Sequence, residues 1–402
     1  MSKVPPSEGP LRGIRVLELG QLIAGPFAGS ILGYFGAEVI KVENPGGGDP
    51  LRQWRVVQDG TSLWWHSLGR NKKSVTINMR EPRGIELVRQ LACNCDVLIE
   101  NFRPGTLERW GLAPEDLKAQ NPNLIVARIS GYGQTGPYAH KPGFASVCEG
   151  ISGFRYVNGF PGEPPVRPNL SLGDSLAGLH AALGVALAII ERERNNTGGQ
   201  TVDIAIFESI FNMMEAVIPE FDGAGVMREP SGSTLTGIAP TNTYLCADGR
   251  HIVIGANGDS IYRRLMEAID RDDLAQDPRL ADNPGRVEHV AELDAAINTW
   301  TRQHAAEAAL ATLEAADVPC GPIYNAADML ADPHFQARGL YHSVEIDGKP
   351  LKLPAITPYL DRTPGSTRWS GPTIGAHNQD VLGGVLGLSD SELSELTNNG
   401  IV

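Results

Sequence analysis

The sequence lacks the short motifs that mark several common enzyme classes. Its 402 residues contain no G-x-x-x-x-G-K-[ST] phosphate loop, no H-E-x-x-H zinc helix and no G-x-S-x-G nucleophile turn. Gly20, Gly25 and Gly29, which follow the first predicted strand, do not have the G-x-G-x-x-G spacing of a dinucleotide site. The sequence therefore does not carry the motifs of P-loop nucleotidases, zinc proteases, α/β-hydrolases, or nicotinamide or flavin enzymes.

Cysteine and positive charge are both scarce. The five cysteines are scattered, and Cys93 and Cys95 have no second Cys or His pair at zinc spacing. We therefore expect reduced, buried thiols and no metal site. The 34 Lys and Arg against 47 Asp and Glu give a net charge of −13. This balance argues against nucleic-acid partners and anionic membranes, but it allows a small polyanionic ligand that meets a local basic patch.

Long apolar runs are also absent from the sequence as we interpret it. No run of apolar residues approaches the roughly 20 residues that a membrane span needs. The first ten residues, Met1–Pro10, are polar and have no signal-peptide core. We therefore expect a protein without a membrane partner that acts in the cytoplasm.

What is present indicates an α/β fold with a parallel sheet. A strand at 13–19, a helix after Gly20 and a strand at 36–43 form a βαβ opening. Further strands are predicted at 75–78, 96–100, 124–130 and 201–206.

Composition divides the chain into domains. We predict a large Rossmann-like domain over 1–222 and a linker over 223–240, which is rich in Gly, Ser, Thr and Pro. A smaller α+β domain is predicted over 241–322, and residues 323–402 are expected to return to the large domain.

Asp174 stands out because it begins a long apolar segment. Helical spacing with almost no polar face up to Glu191 predicts a buried helix, carried by Leu176, Leu179, Leu183, Leu187 and Ile190. Asp174 has two interpretations: a helix N-cap, or a carboxylate nucleophile kept ionised by the helix N-terminus. Gly173 and Gly178 would leave room for a substrate. The segment alone does not separate the two.

Basic residues cluster near predicted strand ends. Asn101, Arg103 and Arg109 follow the strand at 96–100, where open α/β sheets bind ligands. Arg70 and Lys72 precede the strand at 75–78 and are candidates for binding an anion, although a charged run is usually a solvated face.

Several segments form an ordered set of motifs over most of the chain: Leu11–Leu19, Ala24-Gly-Pro26, Gly36–Glu43, Asn71-Lys-Lys-Ser74, Glu100–Gly105, Ser130–Pro137, Gly173-Asp174 and Thr197–Asp203. Together they resemble the family III CoA-transferases, which include formyl-CoA and carnitine CoA-transferases and α-methylacyl-CoA racemases. The likeness is closest to the succinyl-CoA-dependent dicarboxylate enzymes of this family.

The resemblance implies that Asp174 attacks a CoA thioester and carries an anhydride and then an aspartyl-CoA thioester. A CoA thioester would be the substrate, a carboxylic acid the acceptor, and the protein a homodimer of interlocked chains without a permanently bound cofactor. By motif position it also implies CoA contacts, with Asn78 and Arg80 at the nucleotide end, and Asn101, Arg109 and Lys141 elsewhere along the molecule.

One departure separates two branches of the family. The racemases carry a His-Asp pair in the loop after the glycine-rich turn, and Phe144 stands there in this chain. Without an imidazole, α-proton exchange lacks one of its two bases, so a transferase is favoured over a racemase or a non-catalytic CoA-binding protein. A dicarboxylate would need a cation for its distal carboxylate. The candidates are Arg52, Arg70 and Arg167, which the sequence does not rank.

Overall fold

The computed structural model describes residues 9–402 and divides into two compact units. The first unit contains the residues up to Phe154 together with 168–215 and 336–402, and the second contains 155–167 and 216–335. These divisions differ from the predicted domains, because the second unit extends over the predicted linker and over residues on both sides of 241–322.

The strands are short and lie in four sheets within the described residues. Their bounds are β1 Arg15–Glu18, β2 Glu38–Glu43, β3 Val57–Gln58, β4 Thr61–Ser62, β5 Lys72–Thr76, β6 Val97–Glu100, β7 Ile125–Ser130, β8 Thr201–Ala205, β9 Thr241–Leu245, β10 His251–Gly255, β11 Cys320–Pro322, β12 Tyr341–Ile346 and β13 Lys349–Pro354.

The α-helices cover much of the remaining chain. Their bounds are α1 Ala24–Tyr34, α2 Leu63–Leu68, α3 Pro82–Cys93, α4 Thr106–Arg109, α5 Pro114–Gln120, α6 Ala145–Ile151, α7 Phe154–Val157, α8 Leu172–Asn195, α9 Ile206–Phe211, α10 Val217–Ala224, α11 Asp259–Ala268, α12 Asp272–Ala275, α13 Asn283–Glu288, α14 Val290–Thr301, α15 Ala306–Ala315, α16 Ala326–Ala331, α17 Pro333–Ala337 and α18 Asp390–Asn398. Short 3₁₀ segments at Pro50–Gln53 and Pro278–Leu280 and a π-helical segment at Gln379–Gly383 complete the elements.

The first unit is built on a parallel sheet of six strands in the order β5-β2-β1-β6-β7-β8. The chain moves outward from β1 through β2 to β5, and then returns to add β6, β7 and β8 on the other side. The order therefore reverses between β1 and β6, which is the topological switch point where open α/β sheets bind ligands. The α/β fold with a parallel sheet is confirmed.

Helices cover both faces of this sheet. Leu87 and Leu91 from α3 pack on one face together with Leu396 from α18 and the C-terminal residue Val402. Ala28 from α1 and Ala181 from α8 pack on the other face. Gly178 lets α8 approach α1 closely, because a Cβ there would lie 2.7 Å from the carbonyl oxygen of Ala24.

The second unit has its own core. The antiparallel sheet β11-β10-β9 buries Tyr244, Ile252 and Ile254 against helices that contribute Leu265 and Ile297.

Helix α8 corrects two expectations. It is not buried all round, because Leu179, Leu183, Leu187 and Ile190 are 50–57% exposed while its alanines face the sheet. It is also long and apolar enough to cross a membrane by length and composition alone, so the statement that no such run exists was wrong. Packing against the sheet explains the buried alanines of this helix, but it does not explain the exposed leucines.

The five cysteines are free, as expected, but they are not all buried. Cys95, Cys148 and Cys246 are buried, whereas Cys93 and Cys320 are partly exposed.

Candidate active site

A cleft opens where the switch-point strands end. It has a volume of about 210 Å³ and is lined by residues that follow β1, β6, β7 and β8, among them Gln21, Asn101, Gly131 and Ile206. Asp174 lies in the same wall.

Asp174 is the third residue of α8, and the N-cap position belongs to Ser171. The first intrahelical bond runs from the Ser175 N–H to the Ser171 carbonyl at 3.1 Å, so the N–H groups before it have no intrahelical acceptor. A carboxylate in this turn is stabilised by those groups and by the helix dipole. The interpretation of Asp174 as the N-cap was therefore wrong, and its half-buried position in a cleft suits a reacting group.

The glycines beside Asp174 serve packing rather than substrate space. A Cβ on Gly173 would lie 2.9 Å from Ile210 Cδ1 and 3.2 Å from Ala145 Cβ. Gly178 is filled in the same way by α1, as described above. The expectation that they open room for a ligand was wrong.

The negative charge of Asp174 also acts on a neighbouring thiol. Burial is the main cause that raises the pKa of Cys148 to about 12, and the Asp174 charge adds to it. Cys148 Sγ donates to the Gly131 carbonyl at 3.3 Å and stays a neutral packing group.

A strained turn forms the wall opposite these elements. The Asn101 side chain accepts from the Gln21 N–H at 2.7 Å and donates to the Gln21 carbonyl at 2.8 Å. The Asp49 carboxylate accepts from the Leu22 N–H at 3.1 and 3.3 Å. Leu22 is held at φ +64°, a left-handed conformation that costs on the order of 1 kcal/mol for a residue with a Cβ. Such strain is common where a chain positions groups for function.

A buried charge network supports this turn from below. Lys41 Nζ lies 2.8 Å from Asp49 and 3.3 Å from Glu18, and it donates to the Gly20 carbonyl. Burial lowers the pKa of Lys41, but the carboxylates of Asp49 and Glu18 outweigh it and raise that pKa. Lys72 Nζ lies 2.8 Å from Glu18 and donates to the Pro26 carbonyl.

Two predicted anion-binding residues are therefore structural. Strand β5 begins at Lys72 rather than at Val75, and the alternation of strand side chains turns Lys72 into the interior, where burial lowers its pKa to about 8. Arg70 is buried, and its guanidinium donates to the carbonyls of Ser67 and Pro354; burial lowers its pKa to about 10. These positions argue against CoA contacts for both residues.

The other predicted site residues divide into two groups. Arg103 and Lys141 are exposed and line the cleft, with Lys141 Nζ 3.5 Å from the centre of the Tyr138 ring. Three others lie outside the cleft lining: Arg109 in α4, where it donates to Thr106 Oγ1 at 2.8 Å, and Asn78 and Arg80 after β5, where Asn78 Oδ1 accepts from the Arg80 N–H at 3.2 Å.

The candidates for a distal carboxylate also separate. Arg52 is buried, donates to both oxygens of Glu43 at 2.8 Å and stacks on Trp65 at 3.8 Å. Like Arg70, it is occupied by the protein itself. Arg167 belongs to the second compact unit.

Sequence reasoning missed Gln21, Trp54 and Ser130, all of which line the cleft. Their detectable signal was position, because Gln21 and Ser130 stand at the carboxyl ends of the predicted strands 13–19 and 124–130. Phe144 is 73% exposed at the cleft, where a racemase would carry a histidine.

The fold and the cleft define an α/β protein with a switch-point ligand site and a carboxylate in its wall. Residues 11–378 match the family described as CoA-transferase family III. The chain belongs to this family and is a family III CoA-transferase.

Its relatives match over nearly their full lengths. It is 48% identical to succinyl-CoA–D-citramalate CoA-transferase of Chloroflexus aurantiacus, covering 98% of each chain. It is 34% identical to succinate–glutarate CoA-transferase of Agrobacterium fabrum, covering 95% of this chain and 97% of that one. A CAIB/BAIF family crystal structure from Brucella suis superimposes with a TM-score of 0.83 at 33% identity, covering 94% of this chain and 99% of the other.

Proposed function

We propose that this protein moves CoA from succinyl-CoA to a short dicarboxylic acid, with Asp174 as the group that carries the acyl and CoA intermediates. The observation that carries the proposal is the position of Asp174 in the first turn of α8, in one cleft with the cations Arg103 and Lys141. The names of the relatives support the substrate pair, because they act on citramalate, malate or glutarate.

The first half of the reaction transfers CoA to the enzyme. An Asp174 carboxylate oxygen attacks the thioester carbon of succinyl-CoA, the C–S bond breaks, and CoA leaves as a thiolate. The thiolate then attacks the Asp174 carbonyl carbon of the mixed anhydride and expels succinate. The product is an aspartyl-CoA thioester.

The second half runs the same steps with a new acid. A carboxylate oxygen of the acceptor attacks the Asp174 carbonyl carbon and expels CoA thiolate. The thiolate attacks the acceptor's acyl carbon, and Asp174 leaves as a free carboxylate. Each adduct is about as reactive as the bond it replaces, and N–H groups of the α8 first turn are suited to stabilise negative charge at Asp174.

The predicted binding residues fall into two groups by position. Arg103 and Lys141 are exposed in the cleft and can meet a phosphate of CoA or the distal carboxylate of an acid. Arg109, Asn78 and Arg80 lie outside this small cleft and suit the nucleotide end of the long CoA molecule. Asn101 acts by positioning the Gln21 backbone, because its side chain accepts from the Gln21 N–H and donates to the Gln21 carbonyl.

The composition of the cleft lining supports a transferase over a racemase. Among the described residues that line it there is no histidine, and the exposed Phe144 ring has no proton to exchange.

A CoA-exchange assay tests the function. Succinyl-CoA is offered with citramalate, malate, glutarate and a monocarboxylate, and CoA esters are separated by chromatography. Asp174→Asn should lower turnover by about 10³-fold or more because an amide does not replace the nucleophile. Asp116→Asn is the matched control, since Asp116 is an exposed acid in the first turn of α5. Turnover that survives in Asp174→Asn would contradict the mechanism.

We also propose that the protein is a homodimer. The ridge formed by Leu179, Leu183, Leu187 and Ile190 exposes adjacent large apolar side chains along one helix, which is typical of a surface covered by a partner. Some relatives are named as alpha and beta subunits, so a second type of chain is the alternative occupant. Light scattering of the purified chain should give twice the 43.1 kDa chain mass, and Leu183→Glu with Leu187→Glu should lower it. A monomeric wild-type chain would contradict the proposal.

A further inference from the structure

Another pocket lies at the edge of the parallel sheet opposite to the Asp174 cleft. It has a volume of about 330 Å³ and is lined by residues at the amino ends of β1, β2 and β5, together with Arg368 and Trp369. All of these residues belong to the first unit. Small-molecule sites span roughly 300–1,000 Å³, so this pocket has room for more than a single ion.

The charge of this pocket is opposite to that of the whole chain. The chain has a net charge of −13, yet the described lining contains one carboxylate, Glu38, and four cations: Arg12, Arg15, Lys73 and Arg368. Glu38 is shared by Arg15 at 2.6 Å and Lys73 at 2.8 Å, and Lys73 also meets Asp380 at 2.6 Å. These carboxylates serve two of the four cations, so an excess of positive charge remains at the pocket.

Arg368 is a cation that the protein leaves without a counter-charge. It is partly buried, Arg12 is exposed, and within the described part of the chain no carboxylate contacts either guanidinium. Burial lowers the pKa of Arg368, and no neighbouring charge opposes that effect. In Lys41, by contrast, the carboxylates of Asp49 and Glu18 outweigh the effect of burial on the pKa. A partly buried cation without a carboxylate costs free energy that an anionic ligand would recover.

The position of Arg368 is fixed by the protein. Asn71 Oδ1 accepts from the Arg368 N–H at 2.7 Å and from the Trp369 N–H at 3.4 Å. Trp369 Nε1 donates to the Lys72 carbonyl at 3.1 Å, and the Arg368 guanidinium lies 4.6 Å from the centre of the Trp369 ring. A guanidinium that is already held in place loses less freedom when it binds, which favours affinity.

We propose that this pocket is a ligand site, separate from the cleft, for a small phosphorylated molecule. A phosphate monoester carries roughly two negative charges and three acceptor oxygens, enough to accept from Arg12 and Arg368 together. A carboxylate has two oxygens, which one guanidinium fork already occupies. Ile14 and Trp369 are partly exposed in the lining and offer an apolar wall to the rest of the molecule.

Such a ligand would join two distant segments of the chain. Arg12 precedes β1, whereas Arg368 follows β13 and lies outside the motif segments that carry the family resemblance. A phosphate held by both would link these segments, so binding should raise the thermal midpoint of unfolding. Neither residue lines the Asp174 cleft, and the inference therefore does not depend on the proposed function.

Calorimetric titration with pyrophosphate tests the site. Arg12→Met and Arg368→Met should each weaken the binding of pyrophosphate about 10-fold, because each removes one charge-assisted contact. CoA at a concentration that saturates the cleft should leave this binding unchanged. Both variants should keep kcat and KM for succinyl-CoA within about 2-fold of the wild type. Arg362→Met is the matched control, since Arg362 is exposed in the same segment but does not line the pocket, and it should bind pyrophosphate like the wild type.

Further probes define the ligand class. Tricarballylate, which carries three carboxylates and no phosphate, should bind at least about 10-fold more weakly than pyrophosphate. Ribose 5-phosphate and ADP distinguish a sugar phosphate from a nucleotide, and tighter binding of either than of inorganic phosphate supports an organic ligand. Without ligand, the thermal midpoint of Arg368→Met should equal or exceed that of the wild type, because an uncompensated charge is removed.

Four results would contradict a phosphate site at this pocket. They are the absence of pyrophosphate binding to the wild type, binding that both variants retain in full, displacement of pyrophosphate by CoA, and tricarballylate binding as tight as that of pyrophosphate. A lower molecular mass of Arg368→Met in light scattering would also contradict it, because the pocket would then face a second copy of the chain. Protein that binds pyrophosphate but transfers no CoA contradicts the proposed function alone.

Discussion

Two regions of the first unit contain cations whose roles residue type alone does not distinguish. Beneath the Gly20–Ile23 turn, Lys41 and Lys72 are fully buried and held by carboxylates. In the cleft above, Arg103 and Lys141 are exposed. The first region shapes the site and the second is available to a ligand. Charge near a site therefore indicates a binding role only when the charged group is not already neutralised by the protein.

The largest expected effect comes from a substitution that disrupts the buried ion pairs. Lys41→Met removes the partner of Asp49 and one partner of Glu18, and it leaves a buried carboxylate without its cation. The free energy of unfolding should fall by about 3–5 kcal/mol, measured by denaturant titration. Lys118→Met, at a partly exposed ion pair, is the control and should change it by less than about 1 kcal/mol. A loss of less than about 1 kcal/mol for Lys41→Met would contradict a stabilising role for this buried network.

The second effect is a pH dependence that Lys72 creates. Its pKa is about 8 in the folded chain against 10.5 ordinarily, so between these values the unfolded chain binds more protons. This group therefore makes stability rise with pH from about 8 to 10.5, by about 3 kcal/mol at most. Lys72→Met should lack that rise when unfolding is followed across this range. Parallel profiles of unfolding free energy against pH for Lys72→Met and the wild type would contradict this role of Lys72.

A smaller effect tests the cleft. Arg103→Met should raise KM for succinyl-CoA about 10-fold and leave the free energy of unfolding within about 0.5 kcal/mol, because the exposed guanidinium binds ligand rather than protein. Steady-state kinetics and denaturant titration on one preparation check both. The contrast between buried and exposed cations is contradicted if Arg103→Met loses stability and keeps the wild-type KM for succinyl-CoA.

The smallest effect uses salt to sharpen the same contrast. Raising ionic strength to about 0.5 M screens exposed charges and should raise KM for succinyl-CoA several-fold. Lys41 and Lys72 are screened much less because they are buried. The difference in unfolding free energy between wild type and Lys41→Met should therefore persist. If that difference vanished in salt, the network would not be as buried as described.

Much of the fold was predictable because it is local. The strands at 36–43, 96–100 and 124–130 were predicted within a few residues of β2, β6 and β7. Asp174 was correctly assigned to the start of a helix, although to the wrong position within its first turn.

The errors came from interactions between distant parts of the chain. Lys72 looked like a surface cation until strand β5 began at that residue and turned it toward Glu18, which is 54 positions away. Helix α8 looked buried because its composition does not reveal how many of its faces the sheet covers.

The sequence by itself determined the α/β class, the family and the carboxylate at the start of α8, since these depend on local periodicity and on ordered motifs. Only the tertiary structure decided which cations are neutralised and which face of α8 is exposed. The physical reason is that burial and pairing depend on which groups long-range packing brings together, and a linear pattern does not contain that information.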